Sequence, residues 1–163
     1  VKRNIKYYKG FDNKDCTNFT SQIKKAGGVK EFTKWTQGSN PYLLKGSSWY
    51  FNKAGDYGAI WVNANKFANF FGVKYKTTSF YTFSTKVKKG SFITEDKKGD
   101  GNWDHMGFVV KKGSTLTKTS GVKYYDFRVA QHSDDYDNWV SSVENGWETL
   151  KKSNPKIVYA IIN

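Results

Sequence analysis

Aromatic residues make up 18% of this chain: 6 Trp, 11 Tyr and 12 Phe in 163 residues, against only two prolines. Side chains of that size need a folded interior, so their density argues for a packed core and against disorder. One domain of this length buries roughly 70% of the surface its extended chain exposes, enough for a core without covalent or metal staples. A single cysteine excludes an internal disulfide and any Cys-rich zinc fold. No apolar run approaches the roughly 20 residues of a membrane helix, and no repeat or low-complexity linker divides the chain. The expectation is one domain over residues 1–163, not inserted in a membrane.

Lys and Arg number 27 against 14 Asp and Glu, giving a net charge of +13 and a pI near 9.7. Such a surface favours polyanions: nucleic acid, anionic lipid or a cell-wall polymer. The charge is mostly lysine, with arginine only at Arg3 and Arg128. Base reading relies on arginine forks, so specific nucleic-acid recognition is disfavoured. No apolar segment follows Val1-Lys2-Arg3, so no signal peptide is expected in this chain.

Local pattern divides the chain into an early helix and later strands. Asp15 is a capping residue type, Phe19, Ile23 and Ala26 recur at helical spacing, and Gly27-Gly28 is a stop. A second helix is expected from Tyr57 to Phe71, with Trp61, Ala64, Phe67 and Ala68 on its apolar face and Gly72 at its end. From Val73 the period shortens toward two, including the alternation through Phe80 to Thr85. Ser91 to Thr94 reads as a strand, and residues 95–104 as a polar loop. His105–Lys111 and Lys123–Gln131 read as neighbouring strands, Tyr136 to Leu150 as a helix, and Lys156 to Ile162 as a closing strand. The class is α+β.

Cys16 falls at the first helical position, where the partial positive charge and free N–H groups of a helix start favour thiolate and can cradle an oxyanion. It is equally readable as a small buried hydrophobe. Only two histidines exist, His105 at the start of one strand and His132 at the end of the next. Antiparallel pairing brings both to one edge of the sheet, where a cysteine and a base make a minimal nucleophilic constellation. Along Tyr125 to His132, however, Gln131 and not His132 shares a face with the apolar alternates Tyr125, Phe127 and Val129. His132 is taken first and Gln131 second as the residue beside the base. The loop Asp96 to Asp104 fails as a calcium loop, with Lys98 and Gly107 at two ligand positions, so no metal is expected. No phosphate-binding glycine motif is present.

Three segments resemble the putative amidase domain family of Gram-positive bacteria, which belongs with the NlpC-type and CHAP-type papain-like peptidoglycan hydrolases. They are Asp15-Cys-Thr-Asn-Phe running to Gly27-Gly28; Lys89-Gly-Ser-Phe-Ile followed by Gly99-Asp-Gly-Asn-Trp-Asp-His105; and Val129-Ala-Gln-His-Ser-Asp-Asp135. Ser91, where the family often has Asp, and Lys98 in the acidic loop depart from the pattern. The resemblance implies a papain-like fold with the cysteine helix packed on an antiparallel sheet. It implies Cys16 as nucleophile, His105 as base and His132 as the orienting third member, with Asp15, Tyr7, Tyr8 and Gln131 as supporting or oxyanion candidates. The activity implied is that of an N-acetylmuramoyl-L-alanine amidase on peptidoglycan, needing no cofactor, with the domain a monomer at the cell wall, secreted or phage-delivered. Stem-peptide endopeptidase action, a protein-directed cysteine hydrolase or deamidase, and a non-catalytic basic module for wall or nucleic acid are the alternatives. The aromatics from Trp35 to Trp61 are a candidate sugar-stacking groove or simply a cover for the core.

Overall fold

The computed structural model describes residues 15–30, 59–133, 135–142 and 146–163. Tyr7, Tyr8 and the aromatic stretch from Trp35 to Phe51 lie outside the described residues. Helix α1 is Cys16–Ala26. Next among the described residues come α2 (Ala59–Val62), α3 (Ala64–Phe71), β1 (Val73–Thr77), α4 (Phe80–Lys86) and β2 (Phe92–Asp96). Strands β3 (His105–Thr119), β4 (Val122–Gln131) and β5 (Tyr136–Trp139) follow. A 3-10 turn (Val140–Ser142), α5 (Trp147–Ser153) and β6 (Val158–Ile162) complete the chain. The strands form one six-stranded sheet in the order β1-β6-β2-β3-β4-β5, with every pairing antiparallel, and the molecule is α+β as expected.

Neighbouring residues along the strands enter different cores, so both faces of the sheet are covered. Ile93, Val109, Val129, Tyr159 and Ile161 pack with Phe80 and Phe83 of α4 and Trp147 of α5. Met106, Ala160 and Ile162 pack on the other side with Cys16 of α1 and Ala64, Phe67 and Ala68 of α3. The cysteine helix therefore sits on the Met106–Ala160 face.

Several elements differ from the sequence pattern for identifiable reasons. Residues 80–86 are helical, not a strand. Ser79 caps α4 by accepting from the Thr82 N–H at 3.2 Å, and Phe80, Phe83, Ser84 and Val87 bury one helical stripe. Each buried Phe contributes about 2 kcal/mol, and only the helical spacing puts both rings in one core. The expected second helix breaks at Asn63, whose Oδ1 accepts from Lys66 N–H at 2.9 Å and starts α3 afresh. The expected helix over 136–150 is a strand, a 3-10 turn and then α5. Tyr136–Trp139 finds the open edge of β4, and Arg128 holds Asp137 across it with two bonds of 2.7 and 2.9 Å. Strands β3 and β4 run on to a two-residue turn at Ser120-Gly121, φ 50° and 78°, where a loop was expected from residue 112. Positive φ at both central positions is the hairpin geometry that matches strand twist. In α1 the buried residues are Cys16, Thr17, Asn18, Thr20 and Ser21, while Ala26 of the expected apolar stripe is exposed. A helix that buries its small polar side must satisfy those groups internally, and their bonds build the site.

Candidate active site

Cys16 opens α1, and its sulfur lies 3.7 Å from the Thr17 hydroxyl. Burial pushes the thiol up, but a hydrogen bond with His105 and its charge pull the other way. The Thr17 hydroxyl and the Met106 N–H add to them, and the net effect holds Cys16 below the ordinary thiol range. His105 is the first residue of β3, held at its carbonyl by the Thr94 hydroxyl at 2.7 Å. Burial pushes its imidazole down. The Cys16 hydrogen bond and charge, Glu95 and the Gln131 side chain outweigh that and leave it above the ordinary range. The two groups thus favour a thiolate facing an imidazolium, titrating as one coupled pair.

The contact is made around the end of β3. Cys16 packs beside Met106 on one face, whereas His105, one residue earlier, turns to the other and meets Trp147 with ring centroids 5.8 Å apart.

At the end of β4, consecutive residues divide between the faces. Gln131 points to the Trp147 side, accepting from Trp147 Nε1 at 2.9 Å and donating to the Ser133 carbonyl at 3.3 Å. His132 points to α1, where it stacks on Phe19 with centroids 4.3 Å apart and its Nδ1 bonds Asp15 Oδ2 at 2.8 Å. Ser133, held at φ 61°, accepts the Asp15 N–H at 3.0 Å. Asp15 itself does not cap α1 with its side chain; its other oxygen accepts from Asn18 Nδ2 at 2.7 Å, and Asn18 Oδ1 accepts from Trp61 Nε1 at 2.7 Å. The Gln131-His132-Ser133 segment therefore clamps both the base and the helix that carries the cysteine. The structure brings Cys16, His105 and Gln131 together and places His132 on Asp15. Trp61, the last residue of the candidate stacking stretch, is fully buried.

Sequence reading missed Glu95 and Trp147. Glu95 was assigned to the polar loop, yet it belongs to β2, opposite His105 in the ladder and buried. Extending the strand two residues past Ile93 puts Glu95 on the core face, which is the signal that locates it. The acidic loop has a structural explanation. Asp96 Oδ1 accepts from the N–H groups of Lys98, Gly99 and Asp100, and its Oδ2 from Gly101 at 2.8 Å. A carboxylate so occupied organises the turn. Among the described residues no group of three or more His, Cys, Asp or Glu is placed to hold a metal ion, and no helix is long and apolar enough to cross a membrane.

The chain is a member of the Putative amidase domain family, whose model matches residues 1–162. It is similar to the uncharacterized protein YjcM of Bacillus subtilis (strain 168), 31% identical over 172 residues, a match covering 99% of this chain and 33% of that protein. The chain spans about a third of the length of this relative. No solved structure matches it.

Proposed function

We propose that this domain is a papain-like cysteine hydrolase of the NlpC and CHAP type that cleaves an amide bond in peptidoglycan. The observation that carries the reading is the pairing of Cys16 with His105 at the start of α1, which lowers the thiol and raises the imidazole. His105 takes the thiol proton, and the Cys16 thiolate attacks the amide carbonyl. The N–H groups of the first turn of α1 face the developing oxyanion. The amine leaves with the proton of His105, and water, deprotonated by the same ring, clears the acyl-enzyme. Gln131 adds to the groups that raise the imidazole, and His132 secures the helix start through Asp15.

The substrate follows from the resemblance of the Asp-Cys-Thr-Asn-Phe, Asp-His and Gln-His-Ser segments to wall hydrolases. It is supported by a charge of +13, which suits a surface rich in teichoic acid and peptide carboxylates. The bond is the one between the lactyl group of muramic acid and L-alanine, and the domain works as a single monomeric unit at the cell wall. Turbidity loss of purified Gram-positive walls, with mass spectrometry of the products, tests this. Wild type clears walls and exposes new N-terminal alanine, and Cys16→Ala and His105→Ala, folded by circular dichroism, do neither. A cut inside the stem peptide makes it an endopeptidase, and clearing by both variants removes the proposed site. Activity rises with pH through the lowered thiol titration and falls through the raised imidazole titration, because the pair needs the sulfur bare and the ring protonated.

A further inference from the structure

Among the described residues three atoms of the site are buried with no hydrogen-bond partner: Glu95 Oε2, His105 Nε2 and His132 Nε2. Glu95 and His105 are directly opposed in the β2–β3 ladder. Side chains of such a pair leave the same face of the sheet with Cβ atoms roughly 5 Å apart. One atom accepts, and the other carries a proton whenever the imidazole is charged. Leaving both unsatisfied is unfavourable, and a bond between them, direct or through a bridging water, satisfies both.

We propose that Glu95 is the positioning residue of the site, accepting the Nε2 proton of His105, turning Nδ1 toward Cys16 and stabilising the imidazolium opposite the thiolate. The inference rests on the hydrolase reading of Cys16 and His105. Two other side chains compete for this role and are committed elsewhere. Gln131 adds to the forces that raise His105, but it is neutral, acts less strongly than Glu95, and both ends of its amide are engaged, by Trp147 and Ser133. His132 is engaged by Asp15. The charged and titratable groups around Glu95 come from each adjoining element. Lys97, just past β2, places Nζ 3.5 Å from Oε1 and draws the carboxyl toward ionisation, while Asp104 opposes it. Tyr159 is its partner on β6, with the hydroxyl turned away to donate to the Trp147 carbonyl at 3.0 Å. Burial pushes the carboxyl up despite His105 and Lys97.

The experiment is a histidine-15N NMR titration of the full chain, with His105 assigned from His105→Asn, beside the pH profile of amine release from walls. In wild type the neutral His105 ring is the Nε2–H tautomer; an Nδ1–H tautomer overturns the proposal without any variant at Glu95. Glu95→Gln lowers the His105 midpoint by about one pH unit and draws the alkaline limb of activity down with it. Glu95→Asp restores most of the shift, and Gln131→Ala lowers the midpoint by less than Glu95→Gln does. A wild-type midpoint in Glu95→Gln, or the full drop in Gln131→Ala, overturns the proposal. If wild type releases no amine while Glu95→Gln still lowers the midpoint, the hydrolase reading fails and the Glu95–His105 coupling stands.

Discussion

Histidines 105 and 132 sit on neighbouring strand ends, yet the chemistry around each differs. His105 is tied to the thiol and to the groups that raise it. His132 has no comparable reach: its Nδ1 is 2.8 Å from a buried Asp15 carboxylate and its ring lies on Phe19. Removing one partner of a buried pair leaves the other desolvated, so His132→Ala is expected to lower stability by about 3 kcal/mol in urea denaturation. His132→Asn, whose amide still donates, recovers part of that loss. Turnover falls as the helix start loosens, but both pH limbs stay in place, because the groups that set the Cys16 and His105 titrations are intact. A displaced alkaline limb in His132→Ala would instead make His132 the orienting residue. The sequence pattern puts Gln131, not His132, on the face of Tyr125, Phe127 and Val129, and His132 stands first there only if a strand-end twist brings it in; the structure keeps the alternation and sends Gln131 and His132 to opposite faces.

At the scale of elements, the site depends on how closely α5 lies on β3. Gly107 has no Cβ, and one placed there would meet Trp147 Cζ2 and Val129 Cγ1 at 3.0 Å and Ile93 Cγ1 at 3.3 Å. The Trp147 ring sits over the strand at that point, touching His105 and holding Gln131. Gly107→Ala is expected to cost about 1–3 kcal/mol by overpacking. Because the displaced ring carries Gln131 with it, turnover falls by more than stability alone accounts for. Denaturation and wall clearing measured on the same preparation test this. The strands flanking the site were legible because His105–Val110 and Val129–Gln131 alternate cleanly. Helix α4 was not, because Phe80 and Phe83 suit either period until Ser79 caps the turn and Tyr124, Phe127 and Tyr159 receive both rings.

For the molecule as a whole, charge is the property that acts at distance. At about 0.1 M salt the screening length is about 10 Å, so a chain of net charge +13 still attracts a polyanion, and at several-fold higher salt it barely does. Cosedimentation with purified walls is expected to weaken by about tenfold between roughly 0.05 and 0.5 M NaCl. Walls stripped of teichoic acid are expected to lose most of that salt dependence. Undiminished binding at high salt would assign wall capture to specific contacts.

Sequence alone determined the class of fold, the helix that begins at Cys16 and the strand that begins at His105, because periodicity, capping residue types and glycine stops act over a few residues. It also brought the two histidines to one edge, since antiparallel neighbours place one strand's start beside the other's end. Only the tertiary structure decided which side chains meet there. Glu95 joins His105 through the β2–β3 register, Trp147 arrives from an element whose helix starts later than its pattern indicates, and Asp15 turns from capping to bind His132. Those outcomes depend on register and on competition for buried hydrogen bonds, which are settled between segments distant in the chain and leave no trace in the pattern of either one.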